Sequence, residues 1–274
     1  MTAAVILEKA YSFLGSGIIG GVFVERLVRS GVAADRIWVS DLAREKAEAL
    51  ASRLGVRAAR DNREAAAAGD AVFLAIPPNA VKDVVEEVGN VLRPGALLVS
   101  LAAAVRTGWI ERAAGGRRSV LRVIPNTASL IGEGMNPHCL GGHVKENELP
   151  FVDALLGLFG ETVRIDEDLM EAATALTAVG PTYVFPVIQA MRDAAAAEGL
   201  PAGIAERAAA QTVLGAARLV LATGRPPEEL RQMIGTRALD EDAARQLFQR
   251  AVASAAERLT GARGKLGAAW QPAD

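Results

Sequence analysis

The 274 residues carry 30 Lys and Arg against 32 Asp and Glu, a net charge of −2, and 51% of them are apolar. Charges of both signs are interspersed, so no broad basic face is expected, which excludes nucleic acid and an anionic membrane surface as partners. A single cysteine excludes an internal disulfide and fits a reducing cytoplasm, and the longest uncharged stretch, 10–24, is shorter than the roughly 20 residues that span a bilayer.

Glu8 and Lys9 precede that stretch and its glycine spacing has a better explanation, so it does not read as a signal peptide. Residues 10–14 read as a buried strand. Gly15, Gly17 and Gly20 then form a GxGxxG pattern ahead of a helix over 18–30, which sets Val22, Leu27 and Val28 against Glu25, Arg26 and Arg29 and stops at Gly31. In a dinucleotide-binding turn the first glycine permits the tight turn and the second lets backbone approach a pyrophosphate. The third lets helix pack on strand, with phosphate at the helix N-terminus.

A strand over 36–40 and a helix over 41–54, closed by Gly55, complete a βαβ step. Strand 56–59, helix 62–68 and an almost wholly apolar strand 70–76, ended by Pro77-Pro78, follow. Helix 80–91, strand 96–101, helix 107–114 and strand 119–123 continue the alternation, with 140–144 and 162–165 as weaker strands. Strands alternating with helices predict an α/β fold, a doubly wound parallel sheet of the Rossmann type over 1–165.

From 166 onward, alanine-rich helical patterns carry no strand signal and predict an all-α domain over 166–274. Its helices fall at 169–179, 183–199, 205–223, 227–234 and 242–260, with Gly180-Pro181 separating the first two and a frayed tail from 261. Small residues at 194–197 and 208–216 permit close helix packing. A helical domain of this size is expected to complete its core with a second subunit, giving a homodimer or higher homo-oligomer.

Asp41, about 20 residues beyond the glycine turn, is placed to accept from an adenosine ribose 2′-hydroxyl and to repel a 2′-phosphate. That favours NAD(H) slightly over NADP(H), although Ser40 and Arg44 would suit a 2′-phosphate and Asp41 would serve equally as a helix N-cap. His138, Cys139 and His143 are of zinc-ligand type but have no fourth ligand nearby, and Asp240, Glu241 and Asp242 read as a helix start, so no metal is expected. No Lys stands between Lys145 and Lys265, and no His follows His143. Oxidation of an alcohol needs a group that removes the hydroxyl proton, whereas reduction of a protonated imine needs hydride, orientation and charge complementarity. The inventory therefore favours C=N over C–OH chemistry, with Tyr183, Glu171 and the acidic cluster left as groups able to act as acid or base.

Four segments together give the chain a family likeness: FLGSGIIGG at 13–21, DNREAAAAGDAVFLAIPP at 61–78, RVIPNTASLIGEG at 122–134, and TALTAVGPTYVFPVIQAM running on through EGLP and AAAQTVLGAARLV to 220. Over nearly its whole length the chain resembles the pyrroline-5-carboxylate reductase family. The resemblance implies an N-terminal Rossmann domain, a C-terminal helical domain that interlocks with another subunit, and reduction of a cyclic imine, an imino acid, to proline with NAD(P)H. By motif position it implies that Gly15, Ser16, Gly17, Ile18 and Ile19 hold pyrophosphate and that Ser40 and Asp41 meet the adenosine ribose. Asn62 would meet the adenosine end, and Ala75, Ile76 and Pro77 would line the nicotinamide. Pro125, Asn126 and Thr127 would sit at the reaction cleft, with Asn126 touching cofactor and substrate. Thr127, Thr177, Thr182 and Tyr183 would orient the substrate.

Three departures qualify the likeness. Pro77 stands where the family has lysine, and Thr177-Ala178-Val179-Gly180-Pro181 keeps the kink of a Ser-Gly-Ser-Gly-Pro turn but loses its hydroxyls. A Pro-Gly-Gly-Thr-Thr loop that binds the substrate carboxylate is replaced by 234–242, where Thr236, Arg237 and Glu241 are the expected substrate contacts. Carboxylates at 240–242 would repel an anion, which makes an altered imine substrate one expectation. Two competing readings remain: a non-catalytic dinucleotide-binding regulatory protein, and a hydroxyacid or carbonyl dehydrogenase of related architecture.

Overall fold

The computed structural model describes residues 2–236 and 238–270. The chain runs α1 (Thr2–Leu7), β1 (Tyr11–Leu14), α2 (Ile18–Arg29), β2 (Ile37–Ser40), α3 (Arg44–Leu54), β3 (Arg57–Ala58), α4 (Asn62–Ala68) and β4 (Ala71–Leu74). It continues through α5 (Val81–Val88), β5 (Leu97–Ser100), α6 (Thr107–Ala113), β6 (Ser119–Val123), β7 (Gly134–Leu140), α7 (Leu149–Gly157) and β8 (Gly160–Arg164). The remainder is helical: α8 (Met170–Thr177), α9 (Pro181–Ala197), α10 (Ala202–Thr223), α11 (Pro227–Arg231) and α12 (Glu241–Ala269). Two compact units result, one of Met1–Ala178 with Ala255–Asp274 and one of Val179–Ser254.

In the first unit the eight strands form one sheet in the order β3-β2-β1-β4-β5-β6-β7-β8. Neighbours from β3 to β6 pair in parallel, as the alternation of strands and helices predicts. Because strand side chains alternate between faces, Phe13 and Leu14 feed two different cores. On one face Phe13 stacks on Phe73, their centroids 4.4 Å apart, and packs with Phe23 and Leu27 of α2, Leu50 of α3 and Leu155 of α7. On the other, Leu14, Val72 and Leu74 meet Ala65 of α4, Val85 of α5 and Ile110 of α6. The central strands β1, β4 and β5 are buried on both sides, which is why 71–74 reads as a continuous apolar run.

Several expectations are corrected. The strand expected at 140–144 lies instead at Gly134–Leu140, and it pairs antiparallel with β6, Leu121 opposite Leu140 and Val123 opposite His138. Its sequence GMNPHCL hides the strand, since glycine and proline weaken the pattern and the segment is buried with almost no alternation. Helices α1 and α7 are not among the elements expected from the sequence. The tail expected to fray from 261 is helical through Ala269. Gly261, Gly264 and Gly267 argue against a helix locally, but a Cβ at Gly267 would lie 3.4 Å from the Trp109 ring, so the small residue lets this helix end dock on α6. Trp270 stacks on Trp109 at 5.8 Å, and Lys82 Nζ donates to the Ala269 carbonyl at 3.0 Å.

The second unit consists of α9, α10, α11 and the first half of α12. Gly180 and Pro181 do separate α8 from α9, and Pro181 occupies the first position of α9, where its missing N–H costs nothing. Neither α9 nor α12 has a buried residue among those described, and α10 buries only Ala205 and Ala209.

Candidate active site

The glycine turn follows β1 directly. Gly15 has φ +101°, and a Cβ there would collide with the Ala75 carbonyl oxygen; a Cβ on Gly20 would press 2.5 Å from the Gly15 carbonyl oxygen. Both glycines are demanded by the protein itself. Gly17 is different, because a Cβ there would meet nothing within 4 Å. Gly17 also caps α2 without any side-chain hydrogen bond, and the first turn of α2 holds no acid, so its amides are left to a ligand anion. These features fit a dinucleotide pyrophosphate. An open cavity of about 420 Å³ lies against the turn, lined by Ser16, Gly17, Ile18, Gly21, Lys46 and Arg53 among others.

At the end of β2, Asp41 Oδ2 accepts from the Ser16 amide at 2.8 Å and from Ser16 Oγ at 2.9 Å, while Oδ1 accepts from the Ala43 amide at 3.0 Å. Partial burial pushes its pKa up, but the hydrogen bonds from Ser16 and Ala43, with the charge of Lys46, outweigh burial and hold the carboxyl below its ordinary range. Asp41 thus ties the glycine turn to β2; the N-cap of α3 is Ala43. Ser40 is 2% exposed, and its hydroxyl donates to Asn62 Oδ1 at 2.8 Å. Asn62 Nδ2 in turn donates to Glu87 at 3.1 Å. Ala75 and Ile76 continue β4 beside the turn, the Ala75 amide donating to the Leu14 carbonyl at 2.9 Å, and exposed Pro77 opens the 3-10 turn into α5.

Pro125, Asn126 and Thr127 follow β6. Asn126 Oδ1 accepts from the Ala128 amide at 3.2 Å, and its Nδ2 donates to the Thr177 carbonyl at the end of α8 at 3.1 Å. Asn126, exposed Thr127 and Thr177 are therefore brought together, and Asn126 is held from both ends of its amide. Thr177 Oγ1 donates to the Ala173 carbonyl at 2.9 Å and Thr182 Oγ1 to the Val179 carbonyl at 2.6 Å. Thr182, Tyr183, Thr236 and Glu241 belong to the second unit. There Thr236 and Glu241 line a cavity of about 400 Å³ with Arg231, Ile234, Ala238, Leu239 and Ala244. Arg237 lies outside the described residues.

The acidic segment is occupied by local partners. Asp240 Oδ1 accepts from the Ala243 amide at 2.9 Å, Glu241 pairs with Arg231, and Asp242 pairs with Arg245 at 3.2 Å. Among the described residues no group of three His, Cys, Asp or Glu side chains is arranged to hold a metal ion. Burial, with the nearby Glu167 charge, pushes the Cys139 thiol up to about 12, which keeps it protonated and a poor ligand.

Sequence reasoning missed a buried charge cluster around Arg122, a fully buried arginine in β6. The available signal was one charged residue inside the apolar run SVLRVIP. Glu171, open at the sequence level as an acid or base, has both carboxylate oxygens taken by arginines, Oε1 by Arg122 and Oε2 by Arg263.

A doubly wound sheet, a glycine turn that fits pyrophosphate and a following helical unit define a dinucleotide-dependent oxidoreductase. Residues 10–104 match the family described as NADP oxidoreductase coenzyme F420-dependent, and residues 167–262 match pyrroline-5-carboxylate reductase dimerisation. Pyrroline-5-carboxylate reductase of Methanosarcina acetivorans is 32% identical over 261 residues, covering 92% of this chain and 97% of that protein. The enzyme of that name from Escherichia coli is 34% identical over 229 residues, covering 83% of this chain and 85% of its own. Among solved structures, a pyrroline-5-carboxylate reductase from Coxiella burnetii superposes with a TM-score of 0.80 at 30% identity, covering 92% of this chain and 98% of that one. The chain belongs to the pyrroline-5-carboxylate reductase family.

Proposed function

We propose that this protein reduces pyrroline-5-carboxylate, a cyclic imine, to proline in the cytoplasm, using NAD(P)H and acting as a homodimer or larger homo-oligomer. The observation that carries the reading is a glycine turn fit for pyrophosphate in a chain that aligns over 92% of its length with a named reductase. The nicotinamide, when bound, supplies the hydride that adds to the imine carbon. The chain supplies the rest. The first-turn amides of α2 hold the pyrophosphate, Ala75, Ile76 and Pro77 offer an apolar lining, and Asn126, fixed by its two hydrogen bonds, orients cofactor and imine. The Thr177 and Thr182 hydroxyls already donate to backbone carbonyls, so their oxygens are left to accept from the N–H of a protonated imine. Thr127 and Tyr183 complete the polar set, and Pro125, Thr236 and Glu241 border the substrate.

The local engagement of Asp240, Glu241 and Asp242 offsets the repulsion an imino-acid carboxylate would otherwise meet, and so favours pyrroline-5-carboxylate over a carboxylate-free imine. NAD(H) is the favoured cofactor: Asp41 is held ionised, the Ser40 hydroxyl is turned inward to Asn62, and Arg44 is paired with Glu48 at 2.7 Å. The test is oxidation of NADH and NADPH with racemic pyrroline-5-carboxylate, with proline as the expected product and NADH the better donor by about fivefold or more. Cofactor binding without turnover of any cyclic imine would support a regulatory protein instead, and turnover of hydroxy acids a dehydrogenase.

A further inference from the structure

The strand that leads into the Asn126 turn carries a charge cluster that the proposed reaction does not use. The side chains of Arg122 and Glu171 are 1% and 4% exposed, and Arg122 Nη2 donates to Glu171 Oε1 at 3.1 Å. The other oxygen of Glu171 accepts from Arg263 Nη1 of α12 at 2.8 Å. Glu167 faces Arg122 Nη1 at 3.5 Å and takes the amide and hydroxyl of Thr107, at 2.7 and 3.2 Å. Arg122 Nε and Nη1 have no hydrogen-bond partner among the described residues, so the guanidinium is held chiefly through Glu171. Desolvation makes such buried ion pairs weak net contributors to stability, while their fixed geometry restrains whatever they join. What they join here is β6, the first turn of α8, and α12.

We infer that Arg263 is a positioning residue for the active site, acting through Glu171 on α8 so that the Thr177 carbonyl meets Asn126; the inference rests on the reductase reading. Glu171 and Thr177, whose carbonyl faces Asn126, stand less than two turns apart on α8, so a shift at its start is carried to its end. Arg263 lies just past the region that matches the dimerisation family, 167–262, and is held in register by the contacts of Gly267, Ala269 and Trp270 with α5 and α6.

In the full-length protein, Arg263→Met keeps the aliphatic stem and removes the charge, and Arg263→Lys restores it. Expected for Arg263→Met is a fall in kcat with pyrroline-5-carboxylate of about tenfold, with NADH affinity changed less than about twofold, and recovery of at least about half the loss in Arg263→Lys. Amide exchange at Ala128, whose N–H is held by Asn126 Oδ1, reports the same bracket without turnover and is expected to quicken in Arg263→Met. If Arg263→Met does not fold, Glu171→Gln with Arg263→Met removes the stranded carboxylate and is expected to show the same kcat loss. Unchanged kcat and exchange would overturn the inference, as would a kcat loss matched by an equal loss of NADH affinity. Wild-type protein inactive on the imine, with Ala128 exchange still quickened by Arg263→Met, would sink the reductase reading and leave the positioning role standing.

Discussion

Single residues at the glycine turn separate folding from binding. Gly15→Ala places a Cβ against Ala75 at a φ of +101° and is expected to destabilise the fold by about 2 kcal/mol or more, measured by denaturant unfolding. Gly17→Ala meets open space, so stability is expected to hold within about 0.5 kcal/mol while cofactor affinity falls about tenfold. Equal affinity in that variant would remove the pyrophosphate from this turn. Asp41 adds a pH signature. Its folded-state pKa is depressed, so its contribution to stability is fully present above the unfolded value of about 4 and is lost as pH falls through the folded pKa. The stability gap between wild type and Asp41→Asn is therefore expected to be wide near neutrality and to close in acid, as urea titrations at several pH values would read.

Elements whose identity depends on remote partners behave differently from those written in local pattern. Strand β4 and helix α5 follow from apolar runs and spacing, with Val81, Val85 and Val88 on one buried face. Strand β7 and the end of α12 do not. The last turns of α12 contain helix-weakening glycines and are held by the Trp109–Trp270 stack and the Lys82 hydrogen bond. Trp270→Ala is expected to cost about 1 kcal/mol and to raise amide exchange in the terminal turns of α12 first. A loss spread evenly over the sheet would contradict that account.

For the molecule as a whole, the helical unit has too little of its own core. Phe185, Leu221 and Leu247 are 62%, 82% and 58% exposed in the single chain, on helices that bury almost nothing. Apolar surface of that extent is covered in solution by a partner, and the match to a dimerisation family makes a second copy the natural one. Light scattering is expected to give at least twice the chain mass, and Phe185→Asp to weaken self-association by about tenfold or more. A monomer at micromolar concentration would refute this.

The sequence by itself determined the alternation of strands and helices, the helical second half and the nucleotide turn, because periodicity, backbone sterics and the conformational freedom of Gly15 act over a few neighbouring residues. The family resemblance also proposed Asn126 and Thr177 as site residues, without revealing that one holds the other. Tertiary structure alone decided the antiparallel β7, the hydrogen bonds of Asp41 to Ser16, and the pairing of Arg263 with Glu171 across 92 positions of chain. Those features depend on which side chains meet after the chain is packed. Burial then decides the outcome, since a charge or hydroxyl removed from water must find its partner wherever the fold brings one.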